Sequence, residues 1–232
     1  MLELLRFEGE WNYMNIFALS RNPVEAAQQM IDKHIIKMPT ETCQMLHTNI
    51  LYMQYVKEHG EEPQLKDLKA FHLATESNLM KPAMLNHPST IWARQTYANW
   101  NWLYEHGLAL CDEYTYRYEK KHGTLQRILD CIPYFDVVFE HPFQKKRLQP
   151  VTIAMDDQYR IRNPMEISNW NFVIKSYRHY YLEGKWRIAE WRKNRRPNWF
   201  PANHYAKKYN VGVRAYNARK PRYPQKLMEE EE

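Results

Sequence analysis

The stretch from residue 22 to residue 60 limits what this chain can fold into more than any other. It opens on Asn22 and Pro23, a capping side chain followed by the residue whose missing N–H costs nothing at the first helical position. It closes on Gly60, suited to the left-handed turn that ends many helices. Between them Val24, Ala27, Met30, Ile31, Ile35, Met38, Met45, Leu46 and Leu51 supply apolar surface for a core. The pattern predicts one long helix, or two stacked pieces joined near Pro39.

Three polar residues of that helix, His34, Lys37 and Glu41, are spaced three and four apart and share one face. An imidazole, an amine and a carboxylate in a row can form an acid–base site. The same spacing also describes a solvated charged stripe with a Lys–Glu pair, and both readings stand at this point.

Further along, residues 61–85 are polar and broken by Pro63 and Pro82, with a short helix expected around Leu65, Leu68, Phe71 and Leu73. Asn86-His87-Pro88-Ser89 reads as a helix start capped by Ser89, leading into a long helix over residues 90–122 that Gly123 ends. Ile91, Ala98, Leu103, Leu110 and Tyr114 mark its buried stripe, and Arg94, Glu105, His106, Glu113 and Arg117 its polar members. A second core helix runs through residues 124–132. Residues 134–162 connect it to a helix that starts at Asn163-Pro164 and continues from Met165 to about Arg195. The fold expected is mostly α: a single compact helical domain with two long core helices, long loops and a basic, aromatic C-terminal segment. Residues 1–13 read as an extension, residues 14–209 as the helical domain and residues 210–232 as a tail.

Charge is concentrated in that last part. The chain carries a formal +6 with pI near 9.0, but residues 175–226 alone hold 15 Lys and Arg against Glu183 and Glu190. Such cations neutralise phosphates, and the interleaved Trp and Tyr can stack on unpaired bases. The candidate nucleic-acid contacts are Lys185, Arg187, Arg192, Arg195, Arg196, Trp199, Lys207 and Lys208, with His87 and Arg94 at the earlier helix start. His87 would sit at a helix N-terminus, where an anion is welcome; a plain helix start is the other reading.

Several classes of function find no support. The six glycines are too far apart for a dinucleotide turn or a phosphate-cradling loop. Cys43, Cys111 and Cys131 make neither a C-x-x-C motif nor an even set, which points to buried thiols. The ten histidines are scattered without metal-ligand spacing, so neither a metal nor another cofactor is expected. With no apolar run of about 18 residues and no signal sequence, a cytoplasmic protein without a membrane partner is expected, in the host cytoplasm if the chain is viral.

Three pieces stand out together: Asp32-Lys33-His34 with Pro39-Thr40-Glu41, then Met155-Asp156-Asp157-Gln158-Tyr159-Arg160 with Pro164-Met165-Glu166, then Arg196-Pro197-Asn198-Trp199-Phe200 trailing into Tyr205 and Lys207-Lys208-Tyr209. In that order they resemble the pyrimidine-dimer DNA glycosylases of the phage endonuclease V type. The resemblance implies an all-α, metal-free enzyme acting on duplex DNA with a damaged or modified base. It makes Glu41 the carboxylate that assists base departure, His34 a neighbour that contacts DNA, and Trp199 an aromatic near the lesion. Family members attack the sugar with the amine of an N-terminal Thr, where this chain has Met14-Asn15; Thr40 and Gln44 replace the arginines beside the family's glutamate. Lys37, one turn before Glu41, is then the candidate amine for an N-glycosylase with lyase activity, and water activated by Glu41 the candidate for one without. A non-catalytic nucleic-acid-binding protein on this scaffold and an enzyme of free nucleosides or nucleotides are the alternatives.

Overall fold

Asn22 and Pro23 start a helix as their chemistry dictates: the Asn22 side chain accepts from the Val24 and Glu25 amides, and Pro23 fills the first turn. In the computed structural model, which describes residues 14–143, 147–161, 169–204 and 207–208, that helix, α1, spans Pro23–Gln28, and α2 follows over Asp32–His59. Among the described residues there are eight α-helices, four short 3-10 turns and no β-strand, a mostly α fold as expected. The residue 1–13 extension, the Asn163-Pro164 helix start and the 210–232 tail lie outside the described residues.

The long first helix is interrupted, but not at Pro39, which lies inside α2 and is buried there. The break falls at residues 29–31, and a distant side chain explains it. Arg117 donates Nη1–H to the Met30 carbonyl at 2.8 Å and Nη2–H to the Gln28 carbonyl at 2.9 Å, so carbonyls freed by the break have a buried partner. Its Nε–H reaches Glu113 Oε1 at 2.7 Å and Nη1 reaches Asp32 Oδ1 at 2.9 Å. Glu113 and Arg117, expected as polar members of the second long helix, are thus buried with Asp32 as an ion cluster. Gly60 ends α2 in the left-handed region as expected, at φ 74°.

The second long helix is also two. α4 spans Pro88–Ala93 and α5 spans Tyr97–Tyr118, with α3, Leu65–Ala74, before them. Thr96 restarts the helix by accepting the Asn99 amide at 2.8 Å, while Asn99 Nδ2 donates back to the Trp92 carbonyl at 2.8 Å. The cap of α4 is His87 rather than Ser89. α5 stops at Glu119, ahead of Gly123, with Glu119 in the left-handed region and ion-paired to Lys193 at 2.5 Å.

α6, Leu125–Leu129, is shorter than expected, and α7, Phe135–Glu140, occupies part of the expected connection. α8 runs from Trp170 to Glu183, capped by Asn169, and does not continue to Arg195. Its last turn closes when the Gly184 and Lys185 amides both turn back to the Tyr180 carbonyl; residues Trp186–Ile188 and Arg192–Asn194 then form 3-10 turns.

α2 and α5 make the core pair. Gly107 lets them approach closely: a Cβ there would stand 3.0 Å from Thr42 Cγ2 and 3.2 Å from Ile128 Cδ1. Ile35, Met38, Met45, Leu46, Leu103 and Leu110 fill the space between the elements, together with the fully buried Trp92, Tyr177 and Tyr181. Val24, expected to face inward, is 48% exposed.

Candidate active site around Glu41

α2 carries Glu41 at the edge of the core, with its side chain 15% exposed. Two donors hold its carboxylate. Lys37, one turn earlier on the helix, places Nζ 2.6 Å from Oε1. The Asn15 backbone N–H donates to Oε2 at 3.3 Å. The first contact follows from i,i+4 spacing; the second depends on how residues 14–17 lie against α2.

Asn15 is itself fixed through both polar atoms of its side chain. Its Oδ1 accepts from the Ile16 amide at 2.8 Å, the Phe17 amide at 3.2 Å and the Tyr177 hydroxyl at 2.8 Å, and its Nδ2 donates to the Ala154 carbonyl at 2.5 Å. The bonds to the next two amides form a tight Asx turn, and Phe17 leaves that turn at φ 50°. A bulky residue rarely adopts that conformation; here packing holds it, because the Phe17 ring lies 4.1 Å from the His34 ring, nearly parallel.

His34 points away from solvent. It is 7% exposed, and its Nδ1 lies 2.6 Å from the Tyr181 hydroxyl. Burial, then the charges of Lys185 and Lys37, hold its pKa well below the ordinary imidazole value. Burial also pushes the Tyr181 phenol well up. The pair is therefore a neutral imidazole hydrogen-bonded through Nδ1 to a neutral phenol. Lys185 is buried, with Nζ 4.9 Å above the Tyr180 ring.

Trp199 comes to the same side through α8. Its ring meets Tyr181 edge-on at 6.0 Å, and its Nε1–H donates to Gln29 Oε1 at 2.7 Å. A chain of contacts thus runs from Trp199 through Tyr181 and His34 to Phe17 and Asn15, and so to Glu41. A groove of about 360 Å³ beside Trp199, lined also by Gln29, Arg195 and Asn198, does not include Glu41.

The C-terminal cations differ in their surroundings. Arg187, Arg196 and Lys207 are exposed. Arg192, Arg195 and Lys208 are engaged by carboxylates: Arg192 Nε is 3.8 Å from Asp32 Oδ2, Arg195 Nε is 3.1 Å from Glu113 Oε1, and Lys208 pairs with Glu183. Arg192 and Arg195 therefore fasten the segment to the core, while Lys208 pairs within it.

His87 and Arg94 make no hydrogen bond to the Glu41 group. His87 Nδ1 accepts the Ser89 amide at 3.2 Å, and burial lowers its pKa. Arg94 donates to the Leu85 carbonyl at 2.7 Å and lies 4.6 Å from the Tyr52 ring centroid. Among the described residues no group of three or more His, Cys, Asp or Glu could hold a metal ion. All three cysteines are free and buried, with burial pushing the Cys43 and Cys111 thiols up to about 12.

Sequence reasoning did not find Tyr177, Tyr181 or Phe17. Nothing local marks Tyr177 and Tyr181, which reach their partners in the site from 162 and 147 residues away.

The fold and the site define a mostly helical protein in which α2 presents a partly buried carboxylate, with an aromatic and cationic segment alongside. Residues 14–126 match the pyrimidine dimer DNA glycosylase family, the family that the sequence resembles, and the match supports a DNA glycosylase-like function. It includes Glu41, Lys37, His34 and Asn15; the 155–166 and 196–209 segments lie beyond it. No curated protein and no solved structure matches the chain. No helix among the described residues is long and apolar enough to cross a membrane.

Proposed function

We propose that residues 14–209 form a DNA N-glycosylase that withdraws a damaged or modified nucleotide, a pyrimidine in the first instance, from duplex DNA and breaks its N-glycosidic bond. The observation that carries the reading is the Glu41 carboxylate held between Lys37 Nζ and the Asn15 N–H, within the segment that matches the family.

Glu41 does the chemistry in this reading. As the C1′–N bond lengthens, the sugar gains positive charge, which an oriented carboxylate stabilises. Water attacks C1′ and gives a proton to Glu41, while the electron pair of the broken bond leaves on the base nitrogen, which takes a proton from solvent. The products are a free base and an abasic sugar. Water is preferred to an amine on two grounds. Asn15 N follows Met14 in a peptide bond, so it has no free electron pair for attack. Lys37 has a side chain 40% exposed and paired with Glu41, in contact with water rather than in the dry pocket an amine nucleophile uses. His34, buried and neutral, shapes the site from behind. Arg187, Arg196 and Lys207 meet phosphates directly; Arg192, Arg195 and Lys208 do so by sharing their carboxylate partners, and Trp199 lies against the distorted strand.

A duplex carrying one pyrimidine dimer tests this. Wild-type protein releases base, and Glu41→Gln lowers kcat by about 10²–10⁴-fold at unchanged DNA affinity. Borohydride traps no covalent adduct while release continues. An adduct that disappears in Lys37→Ala would transfer the attack to lysine. A wild type that binds damaged duplexes and releases nothing would leave only a DNA-binding protein.

A further inference from the structure

Tyr177 makes three contacts that matter to Glu41, although it lies on α8 and never touches that carboxylate. Its hydroxyl donates to Asn15 Oδ1 at 2.8 Å, lies 3.3 Å from the Thr152 carbonyl, and accepts the Ala154 amide at 3.3 Å. Asn15 in turn donates Nδ2–H to the Ala154 carbonyl. Three separate parts of the chain, the 14–17 segment, the 151–155 segment and α8, therefore meet at one phenol oxygen and one side-chain amide. The next bond outward is the Asn15 backbone N–H to Glu41.

We infer that Tyr177 is a positioning residue: acting through the Asn15 side chain, it holds the Asn15 N–H on Glu41 and so fixes the carboxylate in the orientation its chemistry needs. This rests on the reading of Glu41 as the acting carboxylate.

The physical case is one of freedom removed. Glu41 has three side-chain torsions, and Lys37 is a flexible, partly exposed partner that constrains them loosely. The Asn15 N–H is a backbone donor, and its direction is as rigid as the turn that contains it. That turn is rigid because Asn15 Oδ1 collects three donors at once, two from the Ile16 and Phe17 amides and one from Tyr177. The Tyr177 hydroxyl supplies the only one of the three that arrives from another element. It is fully buried and burial raises its pKa, so it keeps its proton and remains a donor. Without it, the Asx turn loses its hydrogen bond to α8 and keeps the Nδ2 bond to Ala154, the N–H bond to Glu41 and the packing of Phe17 on His34, so Phe17, held at φ 50°, has a reason to relax. A catalytic group left loosely oriented loses turnover more than binding.

The test uses the full chain with Tyr177→Phe, which removes one oxygen and keeps the ring, and Asn15→Ala as the second variant should the first fold poorly. Two readouts are taken. The first, hydrogen exchange at the Asn15 amide, needs no substrate: exchange should quicken about tenfold in both variants, as expected for loss of one buried hydrogen bond. The second is turnover on the dimer-containing duplex: kcat should fall about tenfold with KM unchanged. The double variant should lose no more than Asn15→Ala alone, because both act along one path. Unchanged Asn15 exchange in both variants overturns the inference, whatever the activity. So does a kcat loss in Tyr177→Phe that adds in full to that of Asn15→Ala. Undiminished base release by Glu41→Gln would instead sink the glycosylase chemistry and leave the exchange result to decide on Tyr177.

Discussion

Lowering the pH from 7 to 5 should weaken this fold through two imidazoles that it buries uncharged. His47 on α2 accepts the Met80 amide at Nδ1, 2.8 Å away, and donates Nε2–H to the Arg127 carbonyl at 2.7 Å. A proton on Nδ1 would destroy the first bond and place a charge inside the core. Burial accordingly lowers the His47 pKa to about 4. His106 on α5, whose Nδ1 donates to the Pro23 carbonyl at 2.8 Å, is lowered by burial to about 4 as well. In the unfolded chain both titrate near about 6.5. Between these values the unfolded state takes up protons that the folded state refuses. Stability is therefore full above about pH 6.5, falls as the pH drops toward 4, and levels off below. At pH 5 each imidazole removes about 2 kcal/mol, and the pair about 4 kcal/mol. His34, His87 and His141 are shifted in the same direction, so the sum is a floor, set against the ~5–15 kcal/mol that domains have in total. Urea unfolding followed by tryptophan fluorescence at the two pH values measures it. In His47→Gln, whose amide can accept and donate the same two bonds but does not titrate, about 2 kcal/mol of the difference should vanish. A stability that changes by less than about 1 kcal/mol from pH 7 to pH 5 would refute the argument.

Arg117→Met leaves Asp32 and Glu113 buried with only Arg192 and Arg195 beside them, and should cost about 3–5 kcal/mol in urea unfolding, because a charge left in the core lacks its partner. Gly107→Ala places a methyl 3.0 Å from Thr42 Cγ2 and should cost about 1–3 kcal/mol; Thr42→Ser, which removes that methyl, should return part of it in a thermal melt. Arg187→Glu and Arg196→Glu should each flatten the dependence of log K on log salt for duplex DNA by about 0.9, with the melting temperature unchanged; the same slope in the variants would remove these two from the interface.

Some of this molecule is written in local chemistry. Asn22 and Pro23 begin a helix, Gly60 ends one, and Lys37 meets Glu41, because each of those outcomes is settled within one or two turns of chain. What the tertiary structure decided are the points where a distant group outbid the local preference. The first helix breaks at residues 29–31 rather than at Pro39 because Arg117, some 87 residues on, binds the carbonyls that the break exposes. Arg192 and Arg195 fasten the C-terminal segment because Asp32 and Glu113 wait for them in the core. His34 is buried and neutral because Phe17 and Tyr181 enclose it, and Glu41 is held by Asn15 because Tyr177 holds Asn15. Periodicity and capping report forces that act between neighbours in sequence, whereas burial, ionisation and the aim of a carboxylate depend on which remote surfaces the fold presses together.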